Sequence, residues 1–231
     1  MRIADNIKAV RERIESAAQM AGRDISEITL IGVSKTKPVE MIKEAIGCGI
    51  VDFGENKPQE LAEKYPQISG EVKWHLIGNL QKNKVRHIID KAYLIHSVDS
   101  FELALEIDKR AAAADKIQDI LLQVNISGEA TKSGVSPADA AELCRRISEL
   151  KNVRTKGLMT ISVKDYSYEE NKAVFERLKE LSLNIDSRCI ENVSMGELSM
   201  GMTHDFEAAI EAGATLVRVG AAIFGDRYYG V

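Results

Sequence analysis

Cysteine is scarce: Cys48, Cys144 and Cys189 are the only three in a chain of 231 residues. They are odd in number and far apart, so no disulfide framework is expected, and free thiols suit a reducing compartment. No Cys-x-x-Cys and no His/Cys cluster with metal-ligand spacing occurs, so no metal site is expected. Positive charge is not in excess either. The net charge is −4, whereas a nucleic-acid partner would want a basic face. The most basic stretch, Gln81 to His87, reads as the solvated face of a helix, with an anion contact at the helix start as the lesser alternative. No apolar run is long enough to span a bilayer, and the N-terminus has no apolar signal region. Internal repeats, low-complexity segments and linkers are missing too. These absences predict a soluble, cytoplasmic protein that binds neither nucleic acid nor membrane.

What is present is an alternation. The chain is 45% hydrophobic, enough for one sizeable core. Ile3, Ile7, Val10, Ile14 and Ala17 or Ala18 recur at helical spacing, which predicts a helix over 3–21 that ends at Gly22. From Ile28 onward, short apolar runs alternate with helical patterns. The predicted strands are 28–34, 51–54, 72–78, 92–98, 119–125, 153–159, 189–194 and 215–219. The predicted helices between them are 38–45, 59–65, 81–90, a stretch from Asp99 or Ser100 to Ala114, 136–150, 168–182 and 203–212, the last capped by Thr203. Eight βα units of this length predict a single (β/α)₈ TIM barrel, with a doubly wound open sheet as the alternative. After the eighth strand only about a dozen residues remain. The N-terminal helix is therefore expected to pack on the barrel and cover the seam, within one domain over 1–231.

The stretch Ile28-Thr-Leu-Ile-Gly-Val-Ser-Lys-Thr-Lys-Pro38 starts as a buried parallel strand and stops on two lysines and a proline. Lys35 sits where the strand ends, and in a barrel that edge carries the chemistry. A snorkelling surface lysine is the alternative. The other residues expected on this rim are Asn56, Gly78-Asn79, Ser97, Asn125, Met159-Thr160, Ser194-Met195-Gly196 and Gly220. Lys35 is the one evident nucleophile among them. The segment from Ser194 to Thr203 bears glycine and hydroxyls and leads into a helix, so its backbone N–H groups suit an anion. Gly220-Ala221-Ala222 lets a ligand approach the backbone. A phosphate site after strands seven and eight recurs in this fold.

An amine facing a phosphate cradle suits a phosphorylated carbonyl compound. The candidates are a Schiff-base aldolase acting on a sugar phosphate and a pyridoxal phosphate protein. Arg218 faces the same side of its strand as Gly220. A guanidinium only donates hydrogen bonds, so beside a pyridine nitrogen it would keep that nitrogen unprotonated and the ring a weak electron sink. A salt bridge inside the barrel is the alternative. Lys37 is expected on the same face as Lys35 if the extended conformation continues, where its charge would lower the pKa of Lys35. His75 and His96 are expected to make structural hydrogen bonds; His87 and His204 read as surface.

The motifs then converge on a resemblance. They are Val33-Ser34-Lys35-Thr36-Lys37, Phe53-Gly54-Glu55-Asn56, Trp74-His75-Leu76-Ile77-Gly78-Asn79-Leu80-Gln81-Lys82-Asn83-Lys84 and His96-Ser97-Val98-Asp99-Ser100. Gln123-Val124-Asn125, Gly157-Leu158-Met159, Leu198-Ser199-Met200-Gly201-Met202, Val217-Arg218-Val219-Gly220 and Ile223-Phe224-Gly225 follow. In this order, along nearly the whole chain, they resemble the pyridoxal phosphate homeostasis proteins. That family often has Tyr-Val-Gln-Glu where this chain has Lys57-Pro58-Gln59-Glu60. The resemblance implies a barrel similar to the N-terminal domain of alanine racemase, of PLP fold type III, without the racemases' second β domain and its opposing tyrosine. Tyr228 and Tyr229 are not expected to replace that tyrosine. It also implies that Lys35 forms the Schiff base with pyridoxal 5′-phosphate (PLP) and that Arg218 partners the pyridine nitrogen. Ser199, Met200, Gly201, Gly220 and Ala221 resemble the phosphate site, and Asn56 a rim residue near the cofactor. The implied function is a cofactor carrier or reservoir in vitamin B6 and amino-acid homeostasis, not an enzyme. A monomer that meets PLP-dependent apo-enzymes transiently is expected. A weak PLP-dependent racemase and a regulator that reports cofactor occupancy are the alternatives.

Overall fold

A computed structural model describes residues 2–129, 132–163 and 165–225. Eight parallel strands close into a barrel in sequence order. They are β1 (Thr29–Val33), β2 (Asp52–Glu55), β3 (Lys73–Leu76), β4 (Ala92–Val98), β5 (Gln118–Gln123), β6 (Val153–Met159), β7 (Val193–Met202) and β8 (Leu216–Val219). Pairing of Thr29 with Leu216 and of Gly32 with Val219 closes the ring. The open-sheet alternative is thereby excluded.

Strand alternation sorts the core into two layers. Phe53, Trp74, Ile95, Leu122, Leu158 and Val217 face outward and pack under the helices. Ile31, Leu94, Leu121, Met159 and Leu216 form a small apolar cluster inside the ring. The predicted apolar stripe of α1 (Ile3–Met20) is its buried face, from Ile3 to Ala18. That helix packs on α2 (Val39–Gly47), α7 (Phe206–Glu211) and α8 (Ala221–Phe224). Asn6 donates to the carbonyl of Ile223 at 2.8 Å, and Arg13 pairs with Glu207 at 2.6 Å. Pro58 opens α3 (Pro58–Lys64) at a position where its missing N–H costs nothing.

Three elements depart from expectation. Between β3 and β4 the chain forms a 3₁₀ turn, Lys82–His87, in place of an α-helix. Val85 is its one buried residue, too little apolar surface to hold a longer helix against the sheet. β7 starts four residues later than predicted and runs through Met202. Its residues Ser194, Met195 and Gly196 bulge out of the ladder, because Val193 pairs with Thr155 and Glu197 with Gly157. That triplet lies at the start of the strand, away from the rim where it was expected. The last long helix then begins at Phe206 with Asp205 as its N-cap, not Thr203. Asp205 Oδ1 accepts from the Met202 N–H at 2.6 Å, and the Asp205 N–H donates to the Met202 carbonyl at 3.1 Å. This turn leaves Thr203 at the rim.

All three cysteines are unpaired thiols. Among the described residues no helix is long and apolar enough to cross a membrane, and no group of His, Cys, Asp and Glu is placed to hold a metal ion.

Candidate functional site

A cleft of about 860 Å³ opens at the C-terminal ends of the strands. Its walls include Lys35 and Lys37 after β1, Asn56 after β2, Ile77 after β3 and Ile161 after β6. Met202 ends β7 and Thr203 and His204 follow it, and Arg218, Gly220 and Ala221 come from β8 and its exit. Lys35, Asn56, Arg218, Gly220 and Ala221 thus meet around one space, as expected for a barrel rim. A narrower side cleft of about 290 Å³ shares Asn56, Ile77 and Ile161 and reaches Asn79, Asn125 and Lys132.

The lysine segment is not extended. Thr36 sits at φ +62°, and the Lys37 N–H donates to the Ser34 carbonyl at 3.0 Å. A β-branched residue in the left-handed region is strained, by about 1–3 kcal/mol, and persists only where its surroundings enforce it. Here they do. Glu60 accepts from the Thr36 N–H at 2.5 Å. Lys64, with 8% of its side chain exposed, donates to the Ser34 carbonyl, Glu55 and Glu60 at 2.8, 2.8 and 2.7 Å. Ser34 Oγ donates to Glu55 at 2.6 Å. Burial pushes the Glu55 carboxyl above its ordinary pKa, against the pull of Lys64 and Ser34. This polar knot between β2 and α3 fixes the turn that carries Lys35. Lys35 and Lys37 share the cleft through the turn, not through strand alternation.

Arg218 is buried, at 4% exposure. It donates to Ser199 Oγ at 2.5 Å and to the Thr160 carbonyl at 2.9 Å. Burial lowers its pKa to about 10; at neutral pH it remains a cation. The interior salt bridge weighed for it is replaced by these neutral acceptors.

Ser199, Met200 and Gly201 are not on the rim loop but within β7. The Ser199 hydroxyl is fully buried and engaged by Arg218 and by His96, at 2.8 Å. Met200 points the other way, into the apolar layer under the helices. Gly201 has φ +88°, and a Cβ there would lie 2.6 Å from Ala209 Cβ and 2.9 Å from Phe206 Cα. Gly201→Ala is therefore expected to cost about 2–3 kcal/mol, read as a lower denaturant midpoint at unchanged slope. Thr203 and His204 occupy the place expected of those three residues. Thr203 was read as a helix cap; it is the hydroxyl residue directly after the end of β7. Gly220 answers a close approach: a Cβ there would sit 3.2 Å from the Val33 carbonyl. Tyr228 and Tyr229 lie outside the described residues.

The family described as alanine racemase, N-terminal domain, matches residues 3–228. A pyridoxal phosphate homeostasis protein of Aquifex aeolicus is 44% identical over 230 residues, 99% of this chain and all of that one. The chain belongs to the pyridoxal phosphate homeostasis proteins. PipY of Synechococcus elongatus, a structure solved with PLP bound, superposes at a TM-score of 0.86 with 32% identity, covering 97% of this chain and 100% of that chain. An alanine racemase of Clostridium difficile superposes at 0.76 with 16% identity, covering 97% of this chain and 57% of that one. At that distance it shows the shared barrel alone. The family's members carry the name of homeostasis proteins, not of enzymes.

Proposed function

We propose that the cleft binds pyridoxal 5′-phosphate through a Schiff base at Lys35, and that the protein stores the cofactor and delivers it. The observation that carries this reading is the pairing of a lysine and a buried, donor-only guanidinium on the walls of one cleft. The cleft is large enough for the cofactor, and a Cβ at Gly220 would press on the Val33 carbonyl at 3.2 Å. A solved relative, PipY, holds PLP.

When bound, the cofactor supplies an aldehyde that condenses with an amine and a ring that draws electrons. Lys35 Nζ supplies the amine, and water leaves as the bond forms. Arg218 donates toward the ring nitrogen and keeps it unprotonated, which weakens the electron pull needed for carbanion chemistry. Thr203 with the backbone of Met202, Gly220 and Ala221 receives the phosphate. Asn56 borders the ring, and Lys37 adds positive charge beside Lys35. Ser199 acts on the site through Arg218. These groups hold the cofactor without a paired acid and base for racemisation. The role that follows is hand-over of PLP, by a monomer, to apo-enzymes in vitamin B6 and amino-acid homeostasis.

The test is borohydride reduction of the PLP-loaded protein followed by peptide mapping. One label per chain on Lys35, with PLP transfer to an apo-enzyme and no racemisation, is the expected result. A protein that stays colourless with added PLP overturns the reading.

A further inference from the structure

We propose that Asp52, His75, His96 and Ser199 form a one-directional hydrogen-bonded column through the barrel, in which His96 is a positioning residue for Arg218. The column starts at Arg218 on β8. Its Nη1 lies 2.5 Å from Ser199 Oγ on β7, and Ser199 Oγ lies 2.8 Å from His96 Nδ1 on β4. His96 Nε2 is 2.9 Å from His75 Nδ1 on β3, and His75 Nε2 is 2.9 Å from Asp52 Oδ1 on β2. His75, His96, Ser199 and Arg218 are at most 4% exposed, and Asp52 is 7% exposed.

The two ends determine every proton between them. A guanidinium can only donate and a carboxylate can only accept. Ser199 Oγ therefore accepts from Arg218 and gives its single proton to His96 Nδ1. With Nδ1 accepting, neutral His96 carries its proton on Nε2 and donates to His75 Nδ1. His75 is then also the Nε2–H tautomer and donates to Asp52. The reverse direction fails at both ends. It would set the bare Nε2 of His75 against a carboxylate oxygen, and it would aim two donors at Ser199 while its own proton had no place in the column.

The surroundings of His96 favour its neutral form. Burial opposes a positive charge on His96, and the Arg218 guanidinium it faces opposes it further; together they hold its pKa well below the ordinary value. His75 meets Asp52 and, edge-on, the ring of Tyr93 at 5.5 Å. Asp52 lines a separate cleft of about 420 Å³ at the other end of the barrel, beside Arg11 and Glu15.

The consequence reaches the cofactor site. Arg218 is held at two points, Ser199 and the Thr160 carbonyl. Its orientation at the cleft wall depends on Ser199 presenting a lone pair, and Ser199 does so only while His96 takes its proton. The hydroxyl proton of Ser199 is thus committed inward and is not available to a phosphate. A column of this kind would set how firmly Arg218 meets the ring nitrogen, and so the electronic state of the bound ring.

This last step rests on the cleft being the cofactor site; the column itself does not, and the experiment separates the two. Histidine ¹⁵N NMR on the cofactor-free wild-type chain should show two of its four imidazoles as neutral Nε2–H tautomers at neutral pH. His96→Gln should broaden or shift the resonances of His75, which assigns the pair. With PLP added, His96→Gln keeps an acceptor for Ser199 and a donor for His75, so its affinity stays within about threefold of wild type and its visible band is unshifted. His96→Leu offers neither, and should bind about tenfold more weakly with a shifted band. A protonated or Nδ1–H His96 overturns the column. A folded His96→Leu chain with wild-type affinity and band overturns its reach to the cofactor. If His96→Leu does not fold, the wild-type tautomers and His96→Gln decide. If wild type binds no PLP, the cofactor reading fails and the tautomers still judge the column.

Discussion

Lys35→Ala is expected to abolish borohydride-stable labelling at its site and to weaken PLP binding by about 10²–10³-fold, or about 3–4 kcal/mol. The loss is bounded because the rest of the cleft survives. Arg218, Thr203 and the Gly220 wall are held by β7, β8 and the barrel interior. The variant should thus bind PLP reversibly and lose the Schiff-base colour. Lys37 lies on the same cleft, so slow labelling there is expected in the variant and should vanish in Lys35→Ala/Lys37→Ala. Lys35 is partly exposed and at the end of its strand, so unfolding free energy in the absence of cofactor should change by no more than about 0.5 kcal/mol. That control separates a lost attachment point from a damaged fold. Stoichiometric, spectrally normal labelling of Lys35→Ala would remove Lys35 from the centre of the site.

Much of this site was legible because strand ends are legible. The run from Ile28 to Ser34 is apolar and stops at charge and proline, and the barrel edge follows from counting eight such runs. Lys35, Asn56, Arg218 and Gly220 all inherit their place from that count, and α1 from a single periodic stripe. The segment after Cys189 failed for a physical reason. Ser-Met-Gly-Glu-Leu-Ser-Met-Gly-Met contains glycines and hydroxyls that local propensity reads as loop, whereas pairing with β6 and β8 holds it as a bulged strand. Ser199 consequently moved from the rim into the barrel. Buried charge was invisible for a different reason. Nothing in the local pattern of Lys64, Glu55 and Glu60 marks them as buried, and only the Glu60-to-Lys64 spacing of four hints at a pair. Their convergence under Ser34 needs the contact of β2 with α3. The histidine column likewise needs inward-facing positions on neighbouring strands, which the barrel supplies and local pattern does not.

Lys64→Met is expected to destabilise the protein by about 3–5 kcal/mol, against a typical total of about 5–15. The ammonium is the common donor to three oxygens, and the side chain is nearly sealed from solvent. Removing it leaves Glu55, fully buried, with the Ser34 hydroxyl as its remaining donor, while Oε2 has no partner among the described residues. The melting temperature should fall by roughly 10 °C for a chain of this size. The defect should also depend on pH in a defined direction. A carboxyl whose native pKa is raised binds more protons folded than unfolded, so its contribution improves as pH falls and worsens as pH rises past the ordinary carboxylate range. Without the ammonium that pKa rises further, so the Lys64→Met deficit should be smaller near pH 5 than near pH 8. Glu55→Gln in the same chain removes the unpaired charge and should recover about 1–3 kcal/mol, a non-additivity measured by chemical unfolding of the four members of the cycle. The knot also holds the strained Thr36 turn through Glu60 and the Ser34 carbonyl, so Lys64→Met should slow Schiff-base formation even at temperatures where the chain is fully folded. A loss below about 1 kcal/mol, or full additivity of the two substitutions, would mean that the turn carrying Lys35 is held by something other than this buried lysine.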